Sequence, residues 1–266
     1  MLVYILLRPL NQFIMRSFTN IPIALCRYAL VHRKLNHVKL FIYLKLNSDG
    51  YMPYSKGCFK HWAQELEIHE KTIKSCFEWL LKRRWITVNS KRGAFRVISY
   101  RCLSIKMNFS IKTGYYLESE NLKYFQGLCS AIVIVFYLGK KRWLDKQSGN
   151  NKGFPITNCS RSYSFYPMAN SYLAKCLGVS IATACRYKQN AEEYGYIETK
   201  SNYRFLEDRL GKVKIAEFPI YLIALNFEEM PNRLRQGRKY IKWVEADLIK
   251  PIIRCKKKGY FFKGKN

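Results

Sequence analysis

The chain has 266 residues, enough for two modest domains, and its hydrophobic content of 48% is ample for packed cores, which excludes a disordered chain. Its 47 Lys and Arg against 18 Asp and Glu give a net charge of +29, and a field of that sign attracts polyanions. Duplex DNA is the leading candidate partner, because each neutralised phosphate releases counterions. A membrane surface is the rival, but neither a basic amphipathic helix nor a lipid signal is evident.

Nine cysteines, scattered and without a CxxC pair, indicate reduced thiols in a cytoplasmic protein. Residues 1–14 are predicted to be a short appendage, and Met15 is an alternative start. The apolar opening is interrupted by Arg8 and Pro9 and has no cleavage site, so a secretory signal is not expected. The apolar run at 131–138 is too short to cross a membrane.

The first domain is predicted at 15–100. It begins with a strand or turn and a short helix at 18–30, and a longer helix follows with Asn36 as its expected cap. A helix-turn-helix is predicted at about 56–84. Its second helix is expected to point five side chains outward: Lys71, Thr72, Lys74, Ser75 and Lys82.

A hairpin is predicted directly after this helical pair, with strands at 86–88 and 95–98. Its turn contains Lys91 and Arg92. A basic turn in this place is what a wing that contacts phosphate would have. An ordinary solvated turn explains the same residues equally well.

Residues 101–121 are predicted to be a linker with some strand character, and the second domain is expected at 122–228. That domain opens with a long apolar helix at 122–144. A flexible insertion rich in Ser, Asn and Gly follows at 145–166. Strands, or a strand and a helix, at 212–227 are expected to close the domain.

The stretch 170–197 is the clearest motif in the chain. Leu173 and Leu177 give a first short helix an apolar face, and Gly178 suits a left-handed turn between helices. Ser180 is a good cap for a second helix, whose inward side chains are expected to include Tyr187. Its outward side chains are expected to be Ser180, Ile181, Thr183, Arg186, Lys188 and Gln189. A wing is predicted at 198–206, with Lys200 and Arg204 near its tip.

The same pattern occurs twice. Residues 63–86 align with 174–197 without a gap, and the first residues of the two copies, Ala63 and Ala174, are 111 positions apart. Two ordinary helical hairpins are the plain alternative, but the repetition, each time before a basic hairpin, favours two DNA-binding units. The matching pairs include Leu66 and Leu177, Ile68 and Val179, Thr72 and Thr183, and Ile86 and Ile197.

A helix fits the major groove of B-form DNA, and side chains near its N-terminus reach base edges. Arg186 is the leading specificity residue, because Arg pairs bidentately with guanine. Glu70 and Glu78 disfavour deep phosphate contact by the first helix. Base contacts are expected from Lys71, Thr72, Lys74, Ser75, Ser180, Thr183, Arg186 and Gln189. Contacts with the DNA backbone are expected from Lys82, Lys91, Arg92, Lys188, Lys200 and Arg204.

The last segment, 229–266, is predicted to be a basic aromatic tail. From residue 231 onward it has twelve Lys and Arg against two acids, with aromatic residues between them. This mixture suits nucleic acid, since cations bind phosphates and rings stack on bases. A packed helix with a disordered basic end is an equal alternative. The basic candidates are Arg254, Lys256, Lys257 and Lys258.

No motif for catalysis is present. The chain has no GxxxxGK[ST] or GxGxxG loop, and its four His include no His-apolar-His pair of the kind that a nicking enzyme needs for its metal. Cys58, His61, His69 and Cys76 can bind zinc, but their spacing is not that of a known finger. We therefore predict no catalytic residue, no metal, no cofactor and no enzymatic activity.

The segments 18–46 and 173–197 resemble winged-helix modules of plasmid and phage replication and regulatory proteins. Two such units at this length and charge are similar to plasmid-type replication initiators. The resemblance implies an α+β, helix-rich fold of two tandem winged-helix domains that bind repeated origin sequences. It also implies host helicase and primase partners and homodimers that repress their own promoter. A transcriptional repressor with this fold, a sequence-nonspecific packaging protein and, more remotely, a nuclease with an unfamiliar site are the alternatives.

Overall fold

The computed structural model describes residues 18–48, 51–55, 57–89, 91, 93–148, 164–205, 207–208, 211–212, 234–236, 241–244 and 246–257. Within these residues the chain forms eight α-helices and several small antiparallel sheets, which confirms the predicted helix-rich α+β class. None of these eight helices is both long enough and apolar enough to cross a membrane.

The first part of the chain contains five helices and four strands. In chain order they are β1 (Phe18–Pro22), α1 (Ile23–Val31), α2 (Leu35–Leu46), β2 (Tyr51–Pro53), α3 (Cys58–Leu66), α4 (Glu70–Lys82), β3 (Ile86–Asn89), β4 (Ala94–Val97) and α5 (Tyr100–Met107). Asn36 lies inside α2, which begins at Leu35, so the cap predicted for it is wrong by two residues, which is within the usual uncertainty of a helix end.

The second part begins with β5 (Thr113–Glu118), a 3-10 helix (Ser119–Leu122) and the long helix α6 (Phe125–Gln147). The predicted linker at 101–121 therefore contains most of α5 and all of β5. The remaining elements are β6 (Tyr166–Pro167), α7 (Asn170–Leu177), α8 (Ile181–Glu193), β7 (Ile197–Lys200), β8 (Tyr203–Phe205), β9 (Glu207–Asp208), β10 (Gly211–Lys212), β11 (Leu234–Gln236), β12 (Ile241–Val244), β13 (Leu248–Pro251) and β14 (Lys256–Lys257).

The elements belong to two compact units. The first unit contains α2, α3, α4 and α5 with a sheet in the order β2-β4-β3. Helix α4 buries Ile73, Phe77 and Leu80, which recur at helical spacing and so share one face. The core of the first unit is aromatic. Phe77 of α4 packs edge-on against Phe95 of the central strand β4, with ring centroids 5.6 Å apart. Edge-to-face packing of this kind is favourable for aromatic rings.

The second unit contains α1, α6, α7 and α8, with a sheet in the order β6-β13-β7. Helices α6 and α8 approach closely at Gly127, where a side chain would collide with the Tyr194 ring. The Tyr187 hydroxyl donates a hydrogen bond of 3.0 Å to the Leu30 carbonyl and so joins α8 to α1. These contacts fix the orientation of α8 in the unit.

Both units share an order of a helix, a strand, two helices and a strand, followed later in the chain by the strand in the middle of the sheet. In the second unit, β8 to β12 come between β7 and that central strand, β13. The bounds confirm the predicted offset. Helices α4 and α8 have 13 residues each and begin at Glu70 and Ile181, which are 111 positions apart. Strands β3 and β7 begin at Ile86 and Ile197, again 111 apart.

The hairpin predicted at 198–206 is wrong. Strand β7 pairs with β13, which comes from the predicted tail, and Ile197 faces Pro251. Strand β8 pairs with β12 instead, with Tyr203 facing Val244. The expected insertion at 145–166 overlaps the end of α6, and its residues 149–163 lie outside the described residues, as do the appendage at 1–14, Met15 and residues 213–227.

Candidate nucleic-acid interface

The start of α8 is fixed by a turn and a cap. Gly178 has φ of 70°, a left-handed conformation that glycine adopts without strain, and ends α7. The Ser180 hydroxyl then accepts a hydrogen bond of 3.2 Å from the Thr183 backbone N–H and lies 2.9 Å from the Thr183 hydroxyl. Ser180 and Thr183, which are both predicted to contact bases, therefore interact with each other at the N-terminus of α8.

Replacing Ser180 with Ala is expected to lower the free energy of unfolding by about 1 kcal/mol, because the Thr183 N–H loses its acceptor. Ser180→Asn should retain most of the stability, since Asn is an equally good cap. Urea denaturation of the two variants measures the difference. A variant that kept full stability but lost preference at one base pair would show instead that the hydroxyl contacts DNA.

The outer face of α8 presents Ile181, Arg186 and Gln189 to solvent, and the Ile181 side chain is 58% exposed. Arg186 and Gln189 therefore lie where they were predicted. No carboxylate occurs in this helix before Glu192, whose side chain accepts a hydrogen bond of 3.0 Å from the Thr199 backbone N–H. The N-terminal two-thirds of the face combines one cation, one amide and one apolar side chain.

Lys188 does not lie on that face, so its predicted outward position is wrong. Its side chain is 8% exposed and forms an ion pair with Asp247. The reason is helical periodicity, because position 188 continues the buried series of Ala184, Tyr187 and Ala191. The sequence interpretation gave the charge more weight than the position.

Helix α4 presents Lys71, Lys74, Ser75 and Lys82 to solvent, as predicted, whereas Thr72 is half-buried. Lys74 forms an ion pair of 2.7 Å with Glu70, one turn earlier. The hydrogen bond and charge of Lys74 lower the pKa of Glu70, so this carboxylate stays ionised on the helix face.

His69 is the N-cap of α4, a role that the sequence interpretation missed. Its Nδ1 accepts a hydrogen bond of 3.2 Å from the Lys71 backbone N–H. This bond needs an imidazole whose Nδ1 has no proton. The cap explains why His69 is unsuited to the zinc site considered above, and within the described ranges no group of three or more His, Cys, Asp and Glu side chains could hold a metal ion.

The wing residues predicted to contact the DNA backbone do not all lie in hairpin turns. Lys91 is exposed in the turn between β3 and β4, and Arg92 lies outside the described residues. Lys200 is exposed at the end of β7. Arg204 lies in β8 opposite Trp243 of β12, so it is within a strand pair and not at the tip of a short wing.

The tail candidates also differ in position. Arg254 is exposed, and Lys258 lies outside the described residues. Lys256 and Lys257 form β14 and pair with Gly114 and Thr113 of β5. The backbone of these two lysines, from the predicted basic aromatic tail, is thus part of a sheet.

Buried thiols form a second group of titratable side chains in the second unit. Cys26 and Cys129 are fully buried. Burial, followed by a hydrogen bond with the Cys129 side chain, raises the pKa of Cys26 well above its usual value. A protonated thiol in an apolar core is a poor nucleophile, so Cys26 is suited to packing and not to reaction.

Comparisons of the chain with protein-family models, with curated proteins and with solved structures gave no match.

Proposed function

We propose that this protein binds double-stranded DNA in a sequence-specific manner through two winged-helix units, without enzymatic activity. The order of elements supports the proposal, because each unit has a helical pair followed by a strand that pairs with the central strand of a three-stranded sheet. In such a unit the second helix of the pair enters the major groove. Helices α4 and α8 occupy that position.

The outer face of α8 is the single observation on which the proposal depends. Arg186 and Gln189 are exposed one turn apart on a helix whose start is capped. Arg pairs bidentately with guanine and Gln with adenine, and an apolar side chain such as Ile181 can contact the methyl group of thymine. In a chain of net charge +29, the general attraction to phosphate holds this face against the duplex.

The two helices would recognise unlike sequences, because equivalent positions differ in chemistry. Glu70 in α4 corresponds to Ile181 in α8, and Ser75 corresponds to Arg186, each 111 positions apart. We infer a target of two unlike half-sites for one chain. An initiator that binds origin repeats in the bacterial cytoplasm and recruits host helicase or primase is the most concrete role. A dimeric repressor is the alternative.

Selection of bound duplexes from a random pool tests the proposal. At about 150 mM salt, screening suppresses attraction by bulk charge. An enriched motif of two unlike half-sites supports recognition by both helices, and a palindrome indicates a dimeric repressor. If no motif is enriched and binding disappears as salt rises, the protein is a charge-driven binder and the proposal fails. The double variant Arg186→Ala/Gln189→Ala is the control, since it should lose the half-site that α8 recognises.

A further inference from the structure

The two sheets repeat an aromatic side chain and a cation on their outer faces. Strand β2 begins with Tyr51 and ends with Pro53, and Tyr51 lies opposite Arg96 of the central strand. In the second unit Phe165 stands two residues before Pro167. Because Tyr166 is opposite Ile249, Phe165 is level with Lys250 of the central strand. Each unit therefore places an aromatic residue beside a cation at the same place in its sheet.

The outer face of the first unit combines an accessible ring with the cation of Arg96, and a second cation, Lys45, lies on α2. Tyr51 is 49% exposed, and the Arg96 guanidinium carbon lies 5.9 Å from its ring centroid. Burial and then the charge of Arg96 lower the pKa of the Lys45 ammonium, so these two like charges are close enough to interact. Among the residues that the structure describes, no carboxylate forms an ion pair with Lys45 or Arg96. An anion would relieve this repulsion.

The second unit has a ring and two cations at the same place, but its ring, Phe165, is half-buried. The ammonium of Lys200 lies 4.3 Å from the Phe165 ring centroid, and that of Lys250 lies 5.6 Å from it. Glu198 forms an ion pair of 2.7 Å with Lys250, so this face has two cations and one carboxylate. A net positive charge beside a ring remains.

The contrast between the helices and the sheets indicates the kind of ligand. The outer faces of α4 and α8 differ at equivalent positions, as expected if they recognise different sequences. The sheets instead share a ring and a cation, which fits a ligand that is the same for both units whatever its sequence. Phosphate meets this condition for the cations, and the π-face of a base meets it for the rings.

We propose that the outer sheet face of each unit binds single-stranded nucleic acid, with a base stacked on Tyr51 or Phe165 and phosphates bound by the neighbouring cations. Bases within a duplex are stacked on one another and offer no free face to a surface ring, whereas unpaired bases do. The site goes beyond the proposed duplex recognition and does not depend on it, because it uses the sheets and not α8.

Fluorescence anisotropy with a labelled oligo-dT of about 15 nucleotides, a length in the range that single-strand binding folds cover, measures the site directly. Tyr51→Leu/Phe165→Leu retains apolar bulk and removes the stacking rings. We expect it to weaken oligo-dT binding at least tenfold, since each stacked base contributes substantially. Trp143→Leu is the matched control, because Trp143 is an aromatic residue that is 59% exposed on α6 and belongs to neither sheet, and this variant should bind as the parent chain does.

Glu198→Gln separates binding from a purely structural role of the cation–ring pair. Removing the carboxylate frees Lys250 for phosphate, so oligo-dT should bind more tightly, whereas a structural pair would give a less stable chain with unchanged affinity. Thermal melting of every variant confirms that it is folded. An oligo-U arm shows whether DNA or RNA is preferred, and either preference supports the site.

The inference is overturned if the double leucine variant binds oligo-dT as tightly as the parent chain, or if it loses oligo-dT and random duplex in equal proportion. The second result would mean that the faces bind phosphate alone. Arg186→Ala should leave oligo-dT binding unchanged. The parent chain could select no duplex sequence and still bind oligo-dT in a way that the double leucine variant does not. That result would refute the proposed function and would support this site.

Discussion

Arg186→Ala is expected to relax the preference for one base pair of the selected duplex, at a cost of about 1–3 kcal/mol in binding free energy. The guanidinium is exposed on α8 beside Gln189, and it is the one cation on the N-terminal two-thirds of that face. Loss of a bidentate contact removes discrimination at the position contacted and leaves other positions unchanged. Competition binding with every single-base variant of the selected site measures this effect.

Arg186→Lys should recover little of the lost discrimination. Lysine restores the charge but not the planar fork that pairs with guanine. Arg101→Ala is the matched control. Arg101 is exposed on α5, so this substitution removes the same charge from a helix outside the predicted recognition helices. Lys91→Ala, in the turn after β3, should instead weaken all duplexes alike and reduce the salt dependence by about one phosphate contact. If Arg186→Ala behaved like Lys91→Ala, α8 would not be the recognition helix.

The helical pairs could be predicted because their signals are local. Gly178 ends α7 and Ser180 caps α8. Buried side chains recur at the helical period over fewer than 25 residues. The same constant offset predicted α4 from α8. These signals depend on near neighbours in the chain, so one sequence was sufficient to place the helices and the first strand after each.

The strand that completes the second sheet could not be predicted in this way. Ile197 pairs with Pro251, and nothing in either short segment specifies a partner so distant in the chain. The aromatic-x-Pro repeat was missed for a related reason. Tyr51 and Phe165 are 114 positions apart, whereas the helices are 111 apart, so unequal loops displace the match from the gapless alignment.

Asp247→Ala is expected to lower the free energy of unfolding of the second unit by about 3 kcal/mol, because it leaves the Lys188 ammonium buried without its counterion. Lys188→Met should cost less, about 1–2 kcal/mol, since the Asp247 side chain is 33% exposed and recovers water. Urea denaturation measures both. The exposed pair of Glu70 and Lys74 is the control, and Lys74→Met should change stability by about 0.5 kcal/mol or less.

The double variant Lys188→Met/Asp247→Ala distinguishes a strong pair from two unrelated losses. Replacing both charges removes the uncompensated ammonium, so the double variant should be more stable than Asp247→Ala alone, and the mutant cycle should give a coupling above about 1 kcal/mol. Simple addition of the two single effects would contradict the pair.

The position of this pair gives it a second consequence. Lys188 and Asp247 are 59 residues apart, and the Asp247 backbone carbonyl also accepts a hydrogen bond of 3.0 Å from the Met168 N–H. Asp247 thus ties α8 and the segment after β6 to the start of β13. Closing a longer loop costs little additional entropy, because the cost grows only with the logarithm of its length. A few contacts at the base of the sheet can therefore hold β13 between β6 and β7, and Asp247→Ala should loosen β13 as well as α8, which hydrogen exchange at the Ile249 amide would detect as faster exchange than in the parent chain.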